Sequence, residues 1–142
     1  MSDTKVHQAM RANRLSMTHA MAGDKDAWLD LYSDDAVLAD PVGVSPLDPS
    51  GEGHKGKAAI AAFWDTVIAP AKLKLTAHQR IESGDRTCAV SMTAMNDLGN
   101  GIKTSVDMIA VYEVDEAGKI CSMKAYWSWD EMTAQLKALG LA

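Results

Sequence analysis

The segment VLADPVG, residues 37–43, ends an apolar run on a carboxylate, Asp40, and turns at once through Pro41 and Gly43. A carboxylate in that place has two uses. It can cap the turn, as Asp before proline commonly does. Alternatively it points into an apolar hollow, where burial raises its pKa and makes it a stronger base than a free carboxylate. Such a base removes a proton next to a carbonyl, provided that a donor meets the charge growing on oxygen. Pro41 restricts Asp40 to extended backbone. Side chains able to donate to that oxygen are the phenols of Tyr32 and Tyr112 and the indole N–H of Trp64. Each aromatic is equally a core-packing residue, and Trp28 and Trp129 are read as packing.

Other chemistries find little support. The four histidines, His7, His19, His54 and His78, include no pair at i, i+3 or i, i+4, so a metal site has no starting point. GEGHKGK, residues 51–57, has the glycines of a phosphate loop without its spacing or its preceding long strand, and reads as a flexible loop. Cys88 and Cys121 lie in strand-like runs without a zinc partner, and read as buried free thiols of a reducing cytoplasm. A net charge of −5 and scattered Lys and Arg exclude the basic stripe of a nucleic-acid binder. No apolar run is long enough for a bilayer, and MSDTKVHQAM is too polar for a signal peptide.

The elements that must hold Asp40 follow from periodicity. A length of 142 residues fits one domain, 1–142, with a real core. Residues 5–22 carry Val6, Met10, Met17 and Met21 near helical spacing, and Gly23 ends that helix. Asp24 caps a second, KDAWLDLYSDD, with Trp28, Leu31 and Tyr32 on one face. AVLADPV is a short strand, residues 44–56 are a Pro- and Gly-rich loop, and KAAIAAFWDTVIA is a third helix stopped by Pro70. From residue 72 four strand-like runs are divided by GD, DLGNG and DEAG, and Ser128 with Glu131 forms a capping box for a last helix closed by Gly140. Helices followed by a meander mean α+β, with helices on one face of a curved antiparallel sheet. The third of these strands puts Val106, Met108, Ala110 and Tyr112 on one face. Its other face, with Thr104 or Ser105 near its start and then Asp107, Ile109, Val111 and Glu113, is also rich in apolar residues. A second copy of the chain is the simplest cover for it.

Three stretches resemble the ketosteroid isomerases, within the nuclear transport factor 2-like, SnoaL-like group of cone-shaped folds that also includes scytalone dehydratase. AGDKDAWLDLYSDDAVLADPVG (22–43) is similar to that family's path from the first helix to its catalytic aspartate. HKGKAAIAAFWDTVI (54–68) resembles its third helix, and YEVDEAGKICSMKAYWSW (112–129) its final hairpin with a pocket tryptophan. The three cover about two fifths of the chain in the family's order. The resemblance implies a cofactor-free isomerase in which Asp40 moves a proton between C4 and C6 of a 3-keto-Δ5 steroid or a similar polycyclic ketone. Tyr32, on the second helix, then matches a pocket tyrosine, Trp127 the pocket-wall tryptophan, and Trp64 a residue supporting the oxyanion hole. Met108 and Tyr112 share the inward strand face. The family's two oxyanion donors, a helix tyrosine and a strand aspartic acid, fall on Ser16 and Ala110. Asp107 lies on the opposite face from Ala110. A binding protein for a steroid or another hydrophobic ligand, without turnover, is one alternative. A lyase or cyclase of the same fold acting on a polyketide-like ligand, with His19 as its candidate histidine, is the other. The doubly apolar strand points to a homodimer through the sheet face, and charge, hydropathy and histidine spacing point to no nucleic-acid, membrane or metal partner.

Overall fold

The computed structural model describes residues 6–141. Lys5, the expected start of the first helix, and the preceding polar residues lie outside that range. α1 spans Gln8–Ala22, opened by His7, whose Nδ1 accepts from the Met10 N–H, and closed by Gly23 at φ 71°. Its buried face is Ala9, Ala12, Asn13, Ser16, Met17 and Ala20, a helical stripe of mostly small side chains. The stripe of Val6, Met10, Met17 and Met21 is therefore corrected. Val6 precedes the helix and Met21 is exposed. Small residues let α1 approach the sheet closely, and hydrophobicity alone undervalues them.

α2 is only Lys25–Leu29, capped by Asp24, whose Oδ1 accepts from the Ala27 N–H at 3.1 Å. The expected continuation through Tyr32 does not form. β1, Tyr32–Ala39, starts there instead, because Tyr32 pairs with Ile120 and the Ile120 N–H donates to the Leu31 carbonyl. Tyr32 thus stands on a strand rather than a helix. After Asp40 the chain is pinned back by the Val42 N–H on the Ala125 carbonyl.

The loop that follows is ordered around the buried Asp48, which accepts from Ser50 Oγ at 2.7 Å and from the Gly53 N–H at 2.8 Å. These bonds hold its carboxyl below the usual range. β2, His54–Lys55, pairs with Val37 and Leu38 and went unseen in the sequence. α3, Lys57–Phe63, continues as a wider π turn over Trp64–Ile68.

β3 (Lys72–Ser83), β4 (Thr87–Gly99), β5 (Ile102–Val114) and β6 (Ile120–Tyr126) form the meander, and α4 (Trp129–Ala138) follows. Ser128 Oγ accepts from the Glu131 N–H, and Gly140 adopts the left-handed conformation that ends the helix. The sheet is curved and ordered β2-β1-β6-β5-β4-β3. Its pairs are antiparallel except β1 with β6, which run parallel, so the sheet is mixed rather than wholly antiparallel. Antiparallel β4 and β5 put Val90, Met92, Val106 and Tyr112 on the face covered by the helices. Thr104 belongs to this buried face, two residues before Val106, while Asp107 points outward and accepts from Thr93 Oγ1 at 2.6 Å. On the outer face Ile81, Ile109 and Tyr126 are exposed.

Candidate active site

The sheet and α1 do not close completely on each other. Between them lies a cavity of about 290 Å³, apolar over most of its wall, at the lower end of the sizes usual for small-molecule sites. Asp40 ends β1 on that wall. Its peptide bond to Pro41 is cis. Trp127, just past β6, donates its indole N–H to Asp40 Oδ1 at 2.5 Å. β1 and β6 are register neighbours, Ala39 opposite Lys124, so both groups emerge from adjacent strand ends. Burial pushes the Asp40 carboxyl above its ordinary value, while the Trp127 hydrogen bond and nearby His54 pull the other way. Burial wins because no cationic side chain faces the carboxylate closely enough to form an ion pair among the described residues.

Ser16, Tyr32, Met108, Tyr112 and Trp127 all line the cavity with Asp40. The phenol of Tyr112 is pushed up to about 12 by burial, offset in part by Ser16 and Asn13. Tyr32 is raised well above its usual value, also by burial first, with Tyr112 and Asp40 adding to it. Both are neutral donors at physiological pH.

Two expected residues stand elsewhere. Trp64 does not reach this cavity; it packs on Trp28 at 5.1 Å between ring centroids and faces a separate surface hollow. The π turn that begins at Trp64 sets its direction apart from Phe63 and Val67, which do line the cavity. Ala110 is wholly buried behind the wall. His19 is not on the wall either.

Several wall residues were missed. Trp28, read as packing, lines the cavity and donates its indole N–H to Ser16 Oγ at 3.2 Å. Trp129, Met132 and Leu136 bring one face of α4 over the opening, and their i, i+3, i+7 spacing was the available signal. His54 packs on Phe63, and its Nε2 is buried without a partner. No group of three potential metal-ligating side chains comes together among the described residues, and no described helix is long and apolar enough to cross a membrane. Cys88 is free and buried as expected, whereas Cys121 is free but only half-buried.

Comparison with known proteins converges on one fold. The SnoaL-like domain family matches residues 14–123. The crystal structure of RV0760c from Mycobacterium tuberculosis is 34% identical with a TM-score of 0.86, over 91% of this chain and 97% of that one. Another structure of RV0760c is a complex with estradiol-17beta-hemisuccinate. Delta 5-3-ketosteroid isomerase from Mycobacterium sp. is 35% identical with a TM-score of 0.85, over 89% and 97% of the two chains. A computationally designed 17-OHP binder is 31% identical with a TM-score of 0.83, over 89% and 95%.

Proposed function

Since the chain belongs to the SnoaL-like family, we propose that it is a cofactor-free isomerase that moves a carbon–carbon double bond in a 3-keto steroid or similar polycyclic ketone. The observation that carries this reading is a desolvated carboxylate, Asp40, on the wall of an apolar cavity that also presents two neutral phenols. Asp40 takes the proton beside the carbonyl and returns it two carbons further along the dienolate, so no redox group or metal is required. Its raised pKa strengthens it as a base at the cost of narrowing the pH range in which it is ionised. Trp127 fixes one carboxylate oxygen and leaves the other for the substrate proton.

Adding 5-androstene-3,17-dione and following the conjugated enone absorbance tests this. Turnover is expected, with Asp40→Asn abolishing it and leaving steroid binding intact. Turnover that survives Asp40→Asn overturns the reading. A second reading, a steroid-binding protein without chemistry, is favoured by Ser16 and Ala110 standing where the resemblance puts the donors, and by the steroid complex and steroid binder among its neighbours. It predicts binding without turnover. In the alternative of a lyase or cyclase acting on a polyketide-like ligand, His19 is not the acting group, since that residue is off the cavity.

The exposed Ile81, Ile109 and Tyr126 support a homodimer through the outer sheet face, which sedimentation equilibrium tests. Two free thiols fit a cytoplasmic site of action.

A further inference from the structure

Asn13 is completely buried on α1. Its Oδ1 accepts from Arg80 Nε at 2.8 Å, yet its Nδ2 has no partner. A buried donor without an acceptor is costly and calls for a reason. Arg80 has no carboxylate in ion-pairing distance among the described residues; its other contact is Met17 Sδ at 3.4 Å. A full positive charge therefore stands behind the amide. One turn along, Ser16 Oγ is occupied as an acceptor by the Trp28 indole. Its single O–H proton remains for a neighbour.

The neighbours are the two phenols. Ser16 acts on both Tyr32 and Tyr112, and Asn13 acts on Tyr112, each favouring the phenol's ionised form against burial. Ser16 and Asn13 thus stand beside the phenol oxygens, whose own O–H protons are left for the cavity that both tyrosines share with Asp40. A phenol that receives a hydrogen bond at oxygen is a stronger donor through its own proton.

Building on the isomerase reading, we propose that Tyr112 and Tyr32 are the oxyanion donors of this site. Asn13, backed by Arg80, polarises Tyr112; Ser16, backed by Trp28, polarises Tyr32. The donor position has moved two residues along β5, from Ala110 to Tyr112, which keeps the same face and displaces the group by about 7 Å. When Asp40 takes the proton, the electrons of the broken C–H bond form the enolate double bond. The carbonyl π pair moves to oxygen, where both phenols hold it without transferring a proton. Asp40 then gives its proton to the distal carbon, where the π pair of the original double bond forms the new C–H bond. The enolate C=C pair shifts to make the conjugated double bond, and the pair on oxygen re-forms the carbonyl.

The test uses 2-naphthol, whose ionised form mimics the enolate and absorbs to the red of protein aromatics. It is titrated with the Asp40→Asn protein, because a neutral group at position 40 matches the protonated base that faces the enolate. Bound naphthol is expected to ionise at least one pH unit below free naphthol. Tyr112→Phe in that background raises the midpoint again by about one to two units, a 10- to 100-fold loss of naphtholate, in line with the effect of removing one oxyanion donor. Tyr32→Phe gives a shift in the same direction. Asn13→Ala gives a smaller one with both rings in place, which a packing role would not produce. Naphthol that fails to bind, or whose midpoint ignores Tyr112→Phe in a variant with native near-ultraviolet dichroism, overturns the proposal. Steroid turnover is read separately. Absent turnover with an intact naphthol shift removes the isomerase reading and leaves the donor site. Turnover with no Tyr112 dependence removes only the donor site.

Discussion

Gln135 is the side chain that ties α4 to the sheet. The ladder between β5 and β6 begins at Ile109 with Tyr126, so the earlier part of β5 has an open edge on that side. Gln135 fills it, accepting the Ser105 N–H at 2.7 Å and donating to the Ser105 carbonyl at 2.6 Å. α4 has no fully buried residue, and ten residues of helix are marginal without tertiary support. Two neutral hydrogen bonds at a solvent-exposed edge contribute about 1–2 kcal/mol together, taking the lower part of the usual range. Gln135→Ala should therefore raise the open population of α4 by about 5- to 30-fold, with global stability changed by less than that. Hydrogen exchange of the 129–138 amides and stopped-flow release of a bound steroid are the assays. Both should accelerate by similar factors, because Trp129, Met132 and Leu136 cover the cavity from the same helix. Unchanged exchange, or faster exchange with unchanged release, refutes the claim that this clamp governs access.

Replacing Asp40 by Asn should stabilise the protein at neutral pH. The native pKa of Asp40 is raised by burial, so the folded state holds its proton more tightly than the unfolded chain. Stability contributed by the neutral form is present below the unfolded pKa and lost as pH climbs through the folded one, about 1.4 kcal/mol for each unit of upward shift. The difference in urea midpoint between wild type and Asp40→Asn should vanish below about pH 4 and reach its plateau above the native pKa. A gap independent of pH would refute the assignment. Trp127→Phe removes the hydrogen bond that favours ionised Asp40, so the acid limb of the pH–rate profile should move to higher pH; a limb that stays or moves down contradicts it.

Much of this site was legible in the sequence, and the failures share a cause. Asp40 stood out because a carboxylate ending an apolar run before proline is a local signal. Ser16, Tyr112 and Trp127 were placed on the cavity by resemblance and strand period, and the structure brings them there. Tyr32 was identified by type but assigned to a helix. Its helical spacing from Trp28 is real and the two rings do touch, at 4.9 Å between centroids. What ended the helix was pairing with Ile120, nearly ninety residues away, which no local window contains. Trp64 failed for a geometric reason. It stands at the junction of α3 with the π turn and packs on Trp28, while Phe63 before it and Val67 after it take the cavity side. The inner face of α1 was misplaced because Ala and Ser carry little hydrophobic weight, although close helix–sheet contact selects them. The parallel joining of β1 to β6 was invisible for the same reason as the fate of Tyr32.

Four of the nine methionines belong to a division of labour within the cavity. Asp40 ends one strand of the sheet, Tyr32 opens that strand, and Tyr112 lies within another, where ladders on both sides fix the backbone. In the proposed reaction, the chemistry that depends on sub-ångström placement falls to these rigid elements. The remainder of the wall includes Met92, Met108, Met123 and, from the loosely held α4, Met132. Unbranched thioether side chains repack at little cost, so this part of the cavity adapts to the outline of the ligand and does not select it sharply. Under the isomerase reading, the polar end sets which functional group reacts, because a ketone oxygen placed anywhere else leaves two buried phenols unpaired. The apolar end tolerates ring systems of differing shape. A rigid reacting end and a yielding hydrophobic end make a site that discriminates by chemistry more than by contour.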